Sequence, residues 1–211
     1  MKLEVTFDFV CPWCYLGLTH FSRAIATVQG TDPQVTLWPF QLMPQLPATG
    51  VDNAQFVVNL MGKERAAQML AKVEALGREA GITIDYAKII TLPNTYLAHQ
   101  LVRTLAHGAD GLAFALELMA AHFSGAANLG DRAQLSEIAM RRGFSVEEIQ
   151  ACWSGPEADD DMRSARERAE KLGIRGVPNY IVDGRQTAGS MPEHQWVSLF
   201  ETSSRGEQCA G

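Results

Sequence analysis

The sequence predicts an α/β protein whose strands lie towards the two ends of the chain and enclose a large all-helical insertion. Three observations lead there. The N-terminal segment reads strand, helix, strand. From about Asp52 to Gly173 almost everything has helical period. Strand character returns at Asn179, followed by a closing helix. The expected division is a discontinuous unit of residues 1–47 and 174–211 around an insertion of residues 48–173.

Leu3, Val5, Phe7 and Phe9 alternate with Glu4, Thr6 and Asp8, a period-two strand. Cys11-Pro12-Trp13-Cys14 follows at once and opens a helix, with Pro12 where a first helical residue loses nothing by lacking an N–H. Cys14, Leu18, Phe21, Ile25 and Val28 then form one apolar stripe of a helix ending near Gly30. Residues 35–40 read as a second strand in which Pro39 marks a sheet edge or an early exit. A strand–helix–strand unit favours a parallel pair with a right-handed crossover.

Pro44, Pro47 and Gly50 mark a boundary loop. Helices are then predicted over 53–60, 63–80, 95–107, 112–123, 132–142, 146–152 and 157–172. Asp131 and Ser145, the latter with Glu148 three residues on, are the expected caps. Asp159, Asp160 and Asp161 before Arg163, Arg166, Arg168 and Lys171 match the helix dipole and read as a solvated face. Asn179 to Ala188 around Asp183-Gly184 is a two-residue hairpin pattern. Residues 192–200 read as a terminal helix, with the last ten residues frayed.

The composition, 46% hydrophobic and 20% charged, is that of a globular protein large enough to bury a core without disulfide staples. Its net charge of −6 argues against nucleic acid as a partner. The apolar stretch 111–123 is interrupted by Glu117 and His122 and is too short to span a bilayer, so no membrane is expected. The N-terminus lacks the apolar run and cleavage site of a secretory signal. The expected compartment is therefore the cytoplasm, with the protein a monomer or a homodimer.

Cys11 and Cys14 carry the chemistry. A zinc site needs a second ligand pair, and Cys152 and Cys209 stand alone. Haem attachment needs His after the second cysteine, and residue 15 is Tyr. A cluster shared between two chains has no supporting residue. The remaining reading is a redox dithiol, and the strand-to-helix junction favours it. Cys11 lies among unpaired N–H groups at the positive end of the helix dipole, which stabilises a thiolate. Three helical residues turn about 300°, so Cys14 shares a face with Cys11 and also lies on the buried stripe. An exposed nucleophile and a shielded resolving thiol suit disulfide exchange. Pro12 removes no needed hydrogen bond, and Trp13 supplies apolar shielding without charge. Pro178 follows Val177 just before a strand. The bond between them is ordinarily trans; a cis bond would present the Val177 backbone to an extended substrate.

Residues 7–17, 38–44 (Trp38-Pro39-Phe40-Gln41-Leu42-Met43-Pro44) and 173–179 resemble the DsbA-like thioredoxin family, most closely its FrnE-type branch. That branch is grouped with 2-hydroxychromene-2-carboxylate isomerases and kappa-class glutathione transferases. Pro93-Asn94-Thr95 and Ala98-His99 extend the resemblance into the insertion. It implies a thioredoxin-like fold with a helical insertion, Cys11 as nucleophile, Cys14 as resolving cysteine and Pro178 as a cis-proline. It further implies protein or peptide thiols and disulfides as substrates, with glutathione as a redox partner and no other cofactor. The isomerase and transferase relatives carry serine where Cys11 stands. Two other activities remain beside exchange: glutathione-dependent isomerisation or transfer on an aromatic small molecule, and a non-enzymatic chaperone role for the insertion's apolar surface.

Other residues have plainer readings. Asp8 either relays protons to Cys14 or fixes the loop, from the face opposite Phe7 and Phe9. Asn94 reads as a helix N-cap that relatives place near the cleft. His20 is about 180° around the helix from Cys11 and reads as a surface residue. His99, His107 and His122 lack ligand spacing and read as packing or surface residues. Met61, Met69, Met119 and Met140 read as core filler, and Cys152 as a small buried hydrophobe.

Overall fold

The structure is a computed structural model describing residues 1–28, 33–154 and 156–208, with backbone only for 156–158 and 204–208. Strand β1 (Lys2–Phe7) runs parallel to β2 (Gln34–Pro39), from Lys2 opposite Gln34 to Phe7 opposite Pro39. Helix α1 (Pro12–Thr27) connects them; the expected end near Gly30 lies outside the described residues, and the backbone is already extended at Val28. Strand β5 (Asn179–Val182) lies antiparallel on the other side of β1 and continues into β6 (Arg185–Ala188). The sheet order is β2-β1-β5-β6, with β2 on an edge where Pro39 needs no donor. Asp183 (φ 45°) and Gly184 (φ 82°) are both left-handed, the turn that matches strand twist in a two-residue hairpin.

Between these ends come α2 (Asn53–Met61), α3 (Lys63–Glu79), α4 (Tyr96–Leu105), α5 (Gly108–Gly125), α6 (Arg132–Arg141), α7 (Val146–Ala151) and α8 (Pro156–Lys171). Asp131 caps α6 through Ala133 and Gln134, and Ser145 with Glu148 forms a capping box on α7. Periodicity did not reveal the short antiparallel pair β3 (Val51–Asp52) and β4 (Thr91–Leu92), because two residues carry no period. The last helix, α9 (Glu193–Gln208), runs on from the expected segment into the residues expected to fray. Cys209 lies outside the described residues.

Sheet and insertion share a continuous cluster of buried side chains. Helix α5 is apolar on most sides and buries Leu112, Phe114, Leu118, Met119 and Phe123 against α1 and β2. Met140, by contrast, is 42% exposed and does not fill the core. The acidic run of α8 is more than a solvated face. Asp159 accepts from the Tyr96 hydroxyl and from Gln100 Nε2, and Asp161 pairs with Arg103 at 3.4 Å, so the run ties α8 to α4. The guanidinium groups of Arg103 and Arg168 lie 4.9 and 4.4 Å from the Trp38 ring, covering the β2 edge with cations.

On the other flank Phe21 of α1, Tyr180 of β5 and Trp196 and Phe200 of α9 form a ring cluster, with Tyr180 and Trp196 centroids 4.5 Å apart. Each such aromatic pair adds about 0.5–1.5 kcal/mol beyond burial. Gly17 lets α1 approach this cluster. A Cβ there would lie 2.6 Å from the Tyr180 hydroxyl and 3.2 Å from Pro178 Cγ. Tyr180 is fully buried between rings and has no room to yield. Gly17→Ala is therefore expected to destabilise by about 1–3 kcal/mol. Thermal unfolding checks this, and an unchanged Tm would mean that β5 moves away at no cost.

Candidate active site

The link from β1 to α1 places the two thiols. Cys11 is the N-cap of α1, with extended backbone (φ −87°, ψ 110°), and its amide donates to the Asp8 carbonyl at 3.2 Å. The Cys11 carbonyl accepts from Cys14 and Tyr15 at 3.0 and 3.1 Å. No side chain caps the helix and no acid lies in its first turn, so no other side-chain anion competes with the Cys11 sulfur for its unpaired N–H groups.

Both thiols are free. Cys14 is fully buried and Cys11 is 5% exposed, so the expected exposed nucleophile is nearly covered. The cover comes from across the molecule: Cys11 Sγ lies 3.6 Å from the Val177 carbonyl oxygen. The Val177–Pro178 peptide bond is cis, and the Pro178 carbonyl accepts from Gly189 at 2.9 Å. Burial pushes the Cys14 thiol well up; its hydrogen bond to the Cys11 sulfur and the charge on Cys11 add to that, while the Asp8 amide acts the other way.

Beside the thiols lies a cleft of about 580 Å³ lined by Trp13, His20, Leu76, Val177, Pro178 and Ser190, among others. His20 is thus part of the cleft wall, and burial, with the Arg23 charge, pushes its imidazole down. Trp13 does not leave the site free of charge: the Lys72 ammonium of α3 sits 5.8 Å from its ring centroid. Tyr86, from the loop after α3, lies near enough for the Cys11 charge to act on it, though burial is the larger cause of its raised pKa.

Behind the thiols the structure departs furthest from the sequence reading. Asp8 is fully buried; its Oδ2 accepts from the Leu42 amide at 2.7 Å and its Oδ1 faces His99 Nε2 at 3.3 Å. Asp8 lies beyond the end of β1, where strand alternation no longer decides its face. His99 is 2% exposed on α4 and packs on Phe7 and Phe9, with centroids 5.3 and 4.6 Å away. His122 of α5 is buried as well; desolvation pushes it down against the Ala127 carbonyl and the Asp8 charge. His107 is exposed.

Asn94 is not the N-cap of α4, a position held by Thr95 without a side-chain bond. Its carboxamide nonetheless accepts from the Tyr96 amide and from Gln41 Nε2, and donates to the Leu46 carbonyl at 2.7 Å. It ties the loop after β2 to the start of α4. Lys72, Tyr86 and the Asp8–His99 pair were missed because their partners lie far away in sequence. Among the described residues no cluster of His, Cys, Asp and Glu could hold a metal, and no helix is long and apolar enough to cross a membrane.

A mixed sheet with a free thiol pair at the cap of α1, beside a cis-proline loop, defines a thioredoxin-type α/β protein with helices inserted. The chain belongs to the DSBA-like thioredoxin domain family, whose model matches residues 2–201. It is similar to the uncharacterized protein YwbO of Bacillus subtilis strain 168, at 25% identity over 99% of this chain and 98% of the relative. Its fold is similar to that of a probable DsbA oxidoreductase from Streptomyces coelicolor (TM-score 0.84, 24% identity, 98% of this chain and 91% of that one). It is also similar to the cytosolic disulfide reductase DsbM of Pseudomonas aeruginosa solved with GSH (TM-score 0.63, 21% identity, 97% and 100% covered). A 2-hydroxychromene-2-carboxylate isomerase shares the fold at TM-score 0.66 and 13% identity, over 99% of this chain and 96% of that one.

Cys14 and Tyr180 are acids whose protons the fold holds more tightly than an unfolded chain would. Their contribution to stability is complete below the unfolded-state values, about 8.5 and 10, and is lost as pH rises beyond them. The Tm of the reduced protein is expected to fall as pH rises from about 8 to about 10.5, less steeply once the thiols are oxidised and Cys14 no longer titrates. Equal slopes in both redox states would remove Cys14 from this account.

Proposed function

We propose that the protein is a thiol–disulfide oxidoreductase acting through Cys11 and Cys14. The observation that carries this is the placement of two free thiols on one face of an uncapped helix N-terminus, one at the cleft and the other sealed behind it. The Cys11 thiolate attacks a substrate disulfide, forming a mixed disulfide and releasing one substrate thiolate. Cys14 then attacks Cys11 Sγ, the second substrate thiolate leaves, and the protein pair is oxidised as the substrate is reduced. The reverse sequence introduces disulfides.

The Val177 backbone faces Cys11 Sγ at 3.6 Å, beside Pro178, and suits an extended peptide lying along the loop. Pro12 leaves the first turn of α1 without a competing donor at its own position, and Trp13 forms one cleft wall that carries the Lys72 ammonium. Asp8 and Asn94 hold the loops that frame the pair. Substrates are thiol- or disulfide-bearing peptides or proteins. Glutathione, a tripeptide thiol that the 580 Å³ cleft can accommodate and that accompanies DsbM, is the redox partner. The exchange needs no further cofactor and takes place in a reducing compartment such as the cytosol.

Insulin reduction with glutathione as electron source tests this. Cys11→Ser is expected to reduce activity to background, and Cys14→Ala to accumulate a mixed disulfide at Cys11 with turnover lost. Activity that survives Cys11→Ser would overturn the proposal. Turnover of a 2-hydroxychromene-2-carboxylate by the Cys14→Ala protein with glutathione, in place of disulfide exchange, would assign it to isomerase chemistry instead.

A further inference from the structure

The resolving step needs the Cys14 thiol to lose its proton, yet that thiol is sealed from solvent on the cleft side. The buried groups behind it have a connection to the opposite surface. Asp8 is held against the thiol pair by its backbone, its carbonyl accepting from the Cys11 amide at 3.2 Å and the Cys11 carbonyl from the Cys14 amide at 3.0 Å, and its carboxylate charge acts on the Cys14 thiol. Its Oδ1 lies 3.3 Å from His99 Nε2, both side chains about 1% exposed. His99 in turn lines a cavity of about 120 Å³ with Phe7, Thr36, Arg103 and His107. A cavity of that volume has room for several waters, and His107 at its rim is exposed.

We infer that His99 is a positioning residue for the resolving half-reaction: through Asp8 it takes up the proton that Cys14 releases, and the cavity it lines passes that proton to water at the sheet edge. The inference rests on the exchange proposed above and deepens it. In the step itself the Cys14 S–H bond breaks and the Cys14–Cys11 S–S bond forms. The bond between Cys11 and the substrate sulfur breaks, and that sulfur leaves with the electron pair as a thiolate. The proton goes to the Asp8–His99 pair, and in the oxidising direction it returns from there. The substrate disulfide is the only oxidant. The other ionisable groups in electrical reach of this path are Cys11 on α1, His122 on α5, which the Asp8 charge acts on, Tyr180 on β5, which the charges of Cys14 and Cys11 act on, and Arg103 and His107 at the cavity.

The test separates the two half-reactions. An aromatic disulfide such as 5,5′-dithiobis(2-nitrobenzoate) releases one coloured thiolate when Cys11 attacks and a second when Cys14 resolves the mixed disulfide. Both phases are followed by stopped flow between about pH 5.5 and 9. His99→Gln keeps a donor towards Asp8 but carries no proton. It is expected to leave the first phase unchanged and to slow the second by about tenfold or more near neutral pH, with the deficit closing as pH rises. A second phase matching that of the unaltered protein across the range would overturn the inference. The unaltered protein supplies an independent measurement: the NMR titration of the His99 ring is expected to shift between dithiol and disulfide forms. Identical titrations in the two forms would equally overturn it. Normal release by Cys11→Ser would instead refute the exchange reading itself, so the two failures are distinguishable.

Discussion

The short link between β1 and α1 is the constraint on which the site depends. Once β1 is centred in the sheet and α1 must turn back over it, the residues from Asp8 to Cys11 have a single way round, fixed by the Cys11 amide on the Asp8 carbonyl. Cys11 thereby becomes the helix cap, and Cys14, one turn later, points into the core. The same geometry brings the cap against the Val177–Pro178 loop, because β5 pairs with β1 and its preceding residues arrive at the same end of the sheet. Close approach of α1 to β5 is what the absent side chain of Gly17 permits.

The inserted helices complete the environment of the thiols. Lys72 of α3 lies over Trp13, Tyr86 lies within reach of the Cys11 charge, α4 supplies His99 beside Asp8, and α5 supplies His122 within reach of the Asp8 charge. The cleft side of the dithiol is thus largely apolar with a few polar residues, whereas the inner side holds buried titratable groups in a low-dielectric core where each charge acts strongly on its neighbours. Asp8, whose charge acts on the Cys14 thiol, also faces the His99 imidazole at 3.3 Å, so the polar groups of this inner side are in mutual reach.

The order of strands and helices was largely legible in the sequence. Apolar residues repeat locally, and caps such as Asp131 and Ser145 act within three residues, so periodicity places helices to within a few positions. What local pattern could not reach was the meaning of single polar residues. Asp8 follows a strand and His99 lies in a helix, each unremarkable in its own window. Only the packing of α4 against the end of β1 sets them 3.3 Å apart. Asn94 looked like a cap because helix starts favour such residues, yet its carboxamide serves three partners from Gln41 to Tyr96.

The sequence by itself determined that Cys11 and Cys14 share a face, since residues one turn apart at a strand-to-helix junction do so whatever the remainder of the chain does. It also determined the fold class, through periodicities that arise from backbone geometry alone. Only the tertiary structure decided how far each sulfur is covered, which carbonyl faces Cys11, and which titratable groups lie behind Cys14. Burial and electrostatics depend on distances in space between residues far apart along the chain, and no local pattern encodes those distances.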